Sequence, residues 1–139
     1  LVATVGTTYV VLERIPAMAW LQGVAVGSLA CALLVVNNLR DIPTDQVVGK
    51  KTLAVRLGDQ RTRVLFQTLV VFGIMCGVSV AFANSWSLIL LLCFIPAMKP
   101  INLVKRGVEG RGLIAVLAAT GQVQIVFGAL SLIAFVLGR

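Results

Sequence analysis

The sequence predicts an all-α fold: a polytopic transmembrane helix bundle of about four complete spans plus the tail of another. Three observations carry the prediction. Of the 139 residues, 59% are hydrophobic and only 12% charged, and the mean hydropathy is +1.02. A soluble domain is about half apolar and about a quarter charged. The apolar residues fall in long blocks without the alternation of a barrel strand, and most of the bases fall in two clusters between those blocks. In hydrocarbon every backbone N–H and C=O has to be paired internally, which a helix does alone.

Residues 1–11 are apolar around Gly6, Thr7 and Thr8 and too short to span, so they read as the tail of a helix beginning upstream. The start, Leu1-Val2-Ala3-Thr4, has no initiator Met and no charged n-region. It is therefore no signal peptide and reads as the interior of a longer protein. Glu13-Arg14-Ile15-Pro16 is a short polar break, and Pro16 suits the first turn of the next helix. Ala17 to about Val36 forms the first complete span, with Trp20 as an interfacial anchor. Gly23, Ala25, Gly27, Ser28, Ala30 and Ala32 within it let a neighbouring helix approach closely.

Asn37 to Arg63 is the longest polar connection, and Val64 to about Ala83 is the second span. Asn84-Ser85 makes a tight turn. Trp86 opens a third span that runs to Met98 or Val104, its end blurred by Pro96, Lys99 and Pro100. Lys105 to Gly112 is a second basic loop, and Leu113 to about Leu137 is the last span. Gln122 and Gln124 inside that span predict hydrogen bonds to a neighbouring helix or a place on a substrate path.

The formal net charge of +7 is topological. Arg40, Lys50, Lys51, Arg56, Arg61 and Arg63 lie in one connection, and Lys99, Lys105, Arg106 and Arg111 in another, two spans away. That is the positive-inside pattern of a multi-pass protein of a cell inner or plasma membrane, with both loops cytoplasmic and Asn84-Ser85 outside. No basic stripe alternates with aromatics, so nucleic acid is no partner. Cys31, Cys76 and Cys93 match no metal spacing and read as small apolar side chains packed between helices. The absence of histidine excludes histidine-activated nucleophiles and histidine metal ligands within this chain.

The chemistry is concentrated in Asn37-Asn38-Leu39-Arg40-Asp41-Ile42-Pro43-Thr44-Asp45, followed by Gly49-Lys50-Lys51-Thr52-Leu53. Asp41 and Asp45 are i and i+4. On a helix they share a face, with β-carbons roughly 6 Å apart. A hard cation can bridge that spacing, and Mg2+ in particular takes carboxylate oxygens, keeps several waters and is completed by substrate phosphate. Pro43 predicts a kink or a helix end, tilting the carboxylates toward a cavity. Asn37 and Asn38 supply donors and acceptors without charge. Arg40, Lys50, Lys51 and Arg56 balance the charge of a diphosphate, and Gly49 permits a backbone geometry other residues strain to adopt. Asp at a helix end also caps orphan N–H groups, and bases beside spans follow from topology alone. Neither feature points to chemistry by itself; the whole run at the mouth of a small-residue-rich span does.

This run, continued through Thr52-Leu53-Ala54-Val55-Arg56-Leu57-Gly58, closely resembles the second aspartate-rich motif of the UbiA superfamily of intramembrane prenyltransferases. Its double asparagine and its Thr-Leu-Ala-Val-Arg-Leu-Gly tail are most similar to the menaquinone branch, whose acceptor is 1,4-dihydroxy-2-naphthoate. The resemblance implies a helix bundle around a central cavity in which two aspartate-rich motifs face each other. Asp41 and Asp45 would then be the catalytic, Mg2+-holding pair, with Asn37, Asn38, Arg40, Lys50, Lys51 and Arg56 binding a polyprenyl diphosphate. It implies transfer of the polyprenyl group to the naphthoate with decarboxylation, giving demethylmenaquinone. The first motif lies outside these residues, so residues 1–139 read as the C-terminal half of a single prenyltransferase domain. Its motif loop is about 37–63, and its partners are the lipid bilayer and the N-terminal half of the same protein. The fragment alone should be inactive.

Other acceptors within the superfamily remain open: 4-hydroxybenzoate, homogentisate or a haem precursor. From a different class, a transporter or membrane scaffold would place Gln122, Gln124 and Pro96 on a substrate path and leave the polar connection merely topological. A prenyltransferase needs divalent metal and a prenyl diphosphate; a transporter does not.

Overall fold

The computed structural model describes residues 1–138, and helices account for nearly all of them. α1 is Val2–Leu12, α2 Ala17–Val47, α3 Leu53–Ser79, α4 Phe94–Lys105 and α5 Gly112–Leu137. Two 3₁₀ segments, Val80–Phe82 and Ser85–Cys93, connect α3 to α4. Four stretches are long and apolar enough to cross a bilayer: Ala17–Val47, Leu53–Phe82, Ser85–Lys105 and Gly112–Leu137. The chain is a multi-pass membrane protein.

Lipid tails are as apolar as leucine, so association among these helices depends on close packing. The α2–α3 seam is built on that. A Cβ added at Gly73 of α3 would lie 3.1 Å from both the Ala25 carbonyl oxygen and the Leu29 side chain of α2. One turn on, Gly77 gives way to the ring of Phe127 from α5, and an added Cβ there would meet ring carbons at 2.6 Å. Leu29, Val36, Phe66, Val70, Ile74, Leu90, Val123 and Phe127 fill the shared interior.

One end of the bundle carries most of the bases. Arg63 of α3 donates from Nη1 to the carbonyls of Val104 and Val108, at 3.2 and 3.0 Å, so the start of α3 and the end of α4 lie together. At the opposite end the Asn84 amide donates to the Ala134 carbonyl of α5 at 2.9 Å, and its Oδ1 accepts from Trp86 N–H. Trp20 and Trp86 are half-exposed, as interfacial anchors are.

The helix limits differ from expectation in an informative way. The span beginning at Ala17 was expected to end near Val36, and residues 37–63 to be a connection. α2 instead continues through the motif to Val47 with Pro43 inside it, and only Val48 to Thr52 and the break at Gly58 are non-helical. Polarity marks where a helix leaves hydrocarbon, and a proline near a helix end removes one N–H without ending the helix. The third span is also mixed, its first nine residues being 3₁₀. Pro96, in the first turn of α4, has no N–H for the Leu92 carbonyl, which favours the tighter winding before it. Two readings of single residues also change. Cys31 is exposed, whereas Cys93 is buried. Gln122 is exposed and Gln124 half-buried, and neither hydrogen-bonds to a neighbouring helix among the described residues.

Candidate functional site

Because α2 runs unbroken through the motif, helical periodicity of about 100° per residue decides what the motif residues face. Asn38, Asp41 and Asp45 continue the stripe of Leu34, at i+4, i+7 and i+11. This stripe lies opposite the buried Ala25, Ala32 and Val36, with Leu34 and Asn38 toward the start of α3, Asp41 half-buried and Asp45 buried. The aspartates thus share the face of α2 that does not pack into the central core of the bundle.

Each residue of the segment after the aspartates has a local reason. Gly49 adopts φ 71°, the left-handed conformation of a helix-terminating glycine. With it the Lys50 N–H donates to the Asp45 carbonyl at 2.8 Å, and the Gly49 N–H to the Gln46 carbonyl at 3.2 Å. That pattern is a Schellman motif. It folds Lys50 back so that its ammonium lies 3.4 Å from Asp45 Oδ1. Thr52 then caps α3, its hydroxyl oxygen accepting from the Val55 N–H at 3.3 Å. The run Gly-Lys-Lys-Thr is a helix stop, a charge partner and a helix start in succession.

Asp45 is buried, and its second oxygen, Oδ2, has no hydrogen-bond partner among the described residues. A buried carboxylate oxygen left unpaired costs on the order of 1–3 kcal/mol or more, a cost that a cation or donor reaching Oδ2 relieves. Asp41 is only half-buried and is gripped by its neighbour: Arg40 donates from Nε at 2.8 Å and from Nη2 at 3.3 Å. The Thr44 hydroxyl donates to the Asp41 carbonyl at 2.9 Å, across Pro43.

Of the eight expected residues, the structure brings Arg40 to Asp41 and Lys50 to Asp45, and leaves Asn37 half-buried on α2. Lys51 and Arg56 are exposed at the same end, without an ion pair among the described residues. Asn38 lines a cavity of about 320 Å³ between α2 and α3. The remaining walls are Cys31, Leu34 and Val35 of α2 with Leu53, Ala54, Leu57, Thr62, Leu65 and Leu69 of α3, so it is almost entirely apolar.

The roof of this cavity depends on residues that sequence reasoning passed over. Gly58 interrupts α3 at φ 76°, ψ 171°, a conformation essentially confined to glycine. The break turns the short stretch from Leu53 to Leu57 over the cavity. Thr62 bridges it, donating from Oγ1 to the Gly58 carbonyl at 2.7 Å, with the Ala54 carbonyl at 3.5 Å. Arg63 was counted only as a topological base. It is buried and forked onto Asp59, at 2.6 Å from Nε and 2.9 Å from Nη2. Its reach to the α4 carbonyls ties the roof to the rest of the bundle. The i, i+4 spacing of Asp59 and Arg63 was the available signal.

The UbiA prenyltransferase family model matches residues 1–109. The chain belongs to the UbiA prenyltransferase family. Among curated relatives, the 1,4-dihydroxy-2-naphthoate octaprenyltransferase of Mycobacterium tuberculosis is 42% identical over 126 residues, 91% of this chain and 43% of that protein. The protein of the same name from Mycobacterium leprae is 39% identical over 127 residues, again 91% of this chain and 43% of the relative. The one from Escherichia coli is 45% identical over 62 residues, 45% of this chain and 20% of that protein. The chain thus spans less than half the length of the relatives it matches most fully. No solved structure matches significantly.

Within a UbiA family member the donor set can be weighed against the divalent metal that such enzymes generally need. Among the described residues no group of three or more His, Cys, Asp or Glu side chains comes together. The two carboxylates do not make a closed cage. As hard-oxygen donors they are of the kind taken by an ion that keeps waters and substrate phosphate oxygens, as Mg2+ does, and the buried Oδ2 of Asp45 has no competing hydrogen-bond partner among the described residues.

Proposed function

We propose that the complete protein transfers a polyprenyl group from a polyprenyl diphosphate to 1,4-dihydroxy-2-naphthoate, releasing pyrophosphate and carbon dioxide. The observation that carries this reading is the buried, unpartnered Oδ2 of Asp45, four residues from Asp41, with Lys50 on the other oxygen of Asp45 and Arg40 forked onto Asp41. The names of the relatives supply the acceptor.

Asp41 and Asp45 would hold Mg2+, which supplies electrostatic relief for the departing pyrophosphate. Lys50, Lys51 and Arg56 neutralise the diphosphate from the basic end, with Arg40 steadying Asp41. Asn37 and Asn38 hydrogen-bond phosphate or its water. The first isoprene units lie in the apolar cavity below Asn38, where water is excluded from the allylic cation left by C–O cleavage. The ring carbon bearing the carboxylate attacks that cation. Loss of carbon dioxide returns the electron pair to the ring, leaving the quinol form of demethylmenaquinone. The N-terminal half of the protein packs beside this end of α2 and brings the other aspartate motif. The basic end is cytoplasmic, in the cell inner or plasma membrane.

The test is prenyl transfer by membranes containing the complete protein, offered the naphthoate and 4-hydroxybenzoate side by side, with magnesium or EDTA. Magnesium-dependent product from the naphthoate alone is expected. Product from hydroxybenzoate alone overturns the acceptor. Turnover unaffected by EDTA overturns the role of the aspartates.

A further inference from the structure

The outward face of the third span has a composition of its own. Leu88, Leu91, Leu92, Ile95 and Met98 are exposed along one side of Ser85–Lys105, opposite the buried Leu90, Cys93, Ala97, Pro100 and Val104. Continuing the same stripe toward the basic end come Lys99, Asn102 and Arg106, at i, i+3 and i+7, all exposed. Neither base has an ion pair or a hydrogen-bonded side chain among the described residues, and the nearest acid in sequence, Glu109, is not paired with them.

Lys99 is the telling residue. It sits within α4, about 9 Å of helix rise before the last residue Lys105. A cation so far inside a membrane span is costly unless it reaches a counter-charge. Its four-carbon stem directs the ammonium along the helix toward the headgroup level, where Asn102 and Arg106 stand. The stripe is apolar where acyl chains lie and cationic, with an amide donor, where a phosphodiester lies. We infer that this face of α4 docks an anionic phospholipid, its phosphate held between Lys99 and Arg106 and its acyl chain laid along Met98, Ile95 and Leu91. The inference rests on the membrane fold and on no assumption about the reaction.

The full-length protein in detergent is titrated with phosphatidylglycerol or phosphatidylcholine, and bound lipid is counted by native mass spectrometry. Phosphatidylglycerol should bind preferentially, and the K99Q/R106Q pair should weaken it by about fivefold per base, as about 1 kcal/mol for each converts. The charge-preserving K99R/R106K pair should retain it. The control pair R61Q/R111Q removes the same charge elsewhere on the basic end, and an equal loss there overturns the site in favour of bulk charge. Unchanged binding by K99Q/R106Q also overturns it. A photo-crosslinking residue at the position of Ile95 should capture lipid. Capture of the protein's own upstream helices overturns the proposal, since that face is then covered by protein.

Discussion

Asp45 and Lys50 are joined twice across a single turn: backbone N–H to carbonyl at 2.8 Å, and ammonium to carboxylate Oδ1 at 3.4 Å. The helix stop itself orients the charge pair. It occupies one oxygen of Asp45 and leaves the other, though buried, without a hydrogen-bond partner among the described residues.

Asp45→Asn in the complete protein should lower prenyl transfer by roughly 100-fold or more, the scale of losing a transition-state electrostatic contact. Thermal unfolding in detergent should change little. The partner Lys50 side chain is 62% exposed, and such a pair contributes at most about 1 kcal/mol. Asp41→Asn should behave alike. Normal turnover by either variant removes the aspartates from the chemistry.

Thr62 separates positioning from packing. Thr62→Val keeps the shape but loses the hydroxyl that spans the Gly58 break, so Leu53 to Leu57 should drift from the cavity. The expected signature is a raised KM for the prenyl diphosphate with a smaller change in kcat. Thr62→Ser should restore wild-type values. Equal defects in the two variants would mean that the methyl group, and therefore packing, is what matters.

Arg63→Met should destabilise the protein by about 1–3 kcal/mol, since it takes the Arg63 donor from the Val108 carbonyl and leaves the Val104 carbonyl with only the Gly107 N–H. Asp59→Asn should cost less, about 1 kcal/mol, because Asp59 is more than half exposed. Denaturant titration in mixed micelles checks the order. Parity between the two would show that the ion pair outweighs the contacts to α4.

Gly77→Ala should cost about 1–3 kcal/mol, because the new methyl meets the Phe127 ring at 2.6 Å. Gly128→Ala meets nothing within 4 Å and should stabilise α5 by up to about 1 kcal/mol. Melting temperatures of the two variants should therefore move in opposite directions.

The span count, the turn at Asn84 and the clustering of bases at one end were all legible from hydropathy and charge. The extent of α2 was not. Asn37, Asn38, Arg40 and Asp41 are polar enough to end a membrane span, yet a helix emerging into polar surroundings continues until a stop such as Gly49. Arg63 was visible as a charge and as the i+4 partner of Asp59. Its hold on α4 joins residues 41 and 45 positions apart, which no local pattern encodes. Cys31 shows the same limit from the other side. Its residue type argues for burial, and only the arrangement of α2 and α3 makes it a cavity wall.

The unbroken course of α2 constrains how this region can vary over evolutionary time. Were the aspartates on a loop, a residue gained or lost between Val36 and Asp41 could be absorbed by slack. On a continuous helix each such change would turn Asp41 and Asp45 by about 100° and shift them by about 1.5 Å, swinging both carboxylates off the face they share with Leu34 and Asn38. Substitutions can accumulate along this stretch, but length changes cannot. The segment should therefore behave as a ruler whose spacing from Ala17–Val36 to Asp41 is inherited intact even where its letters differ.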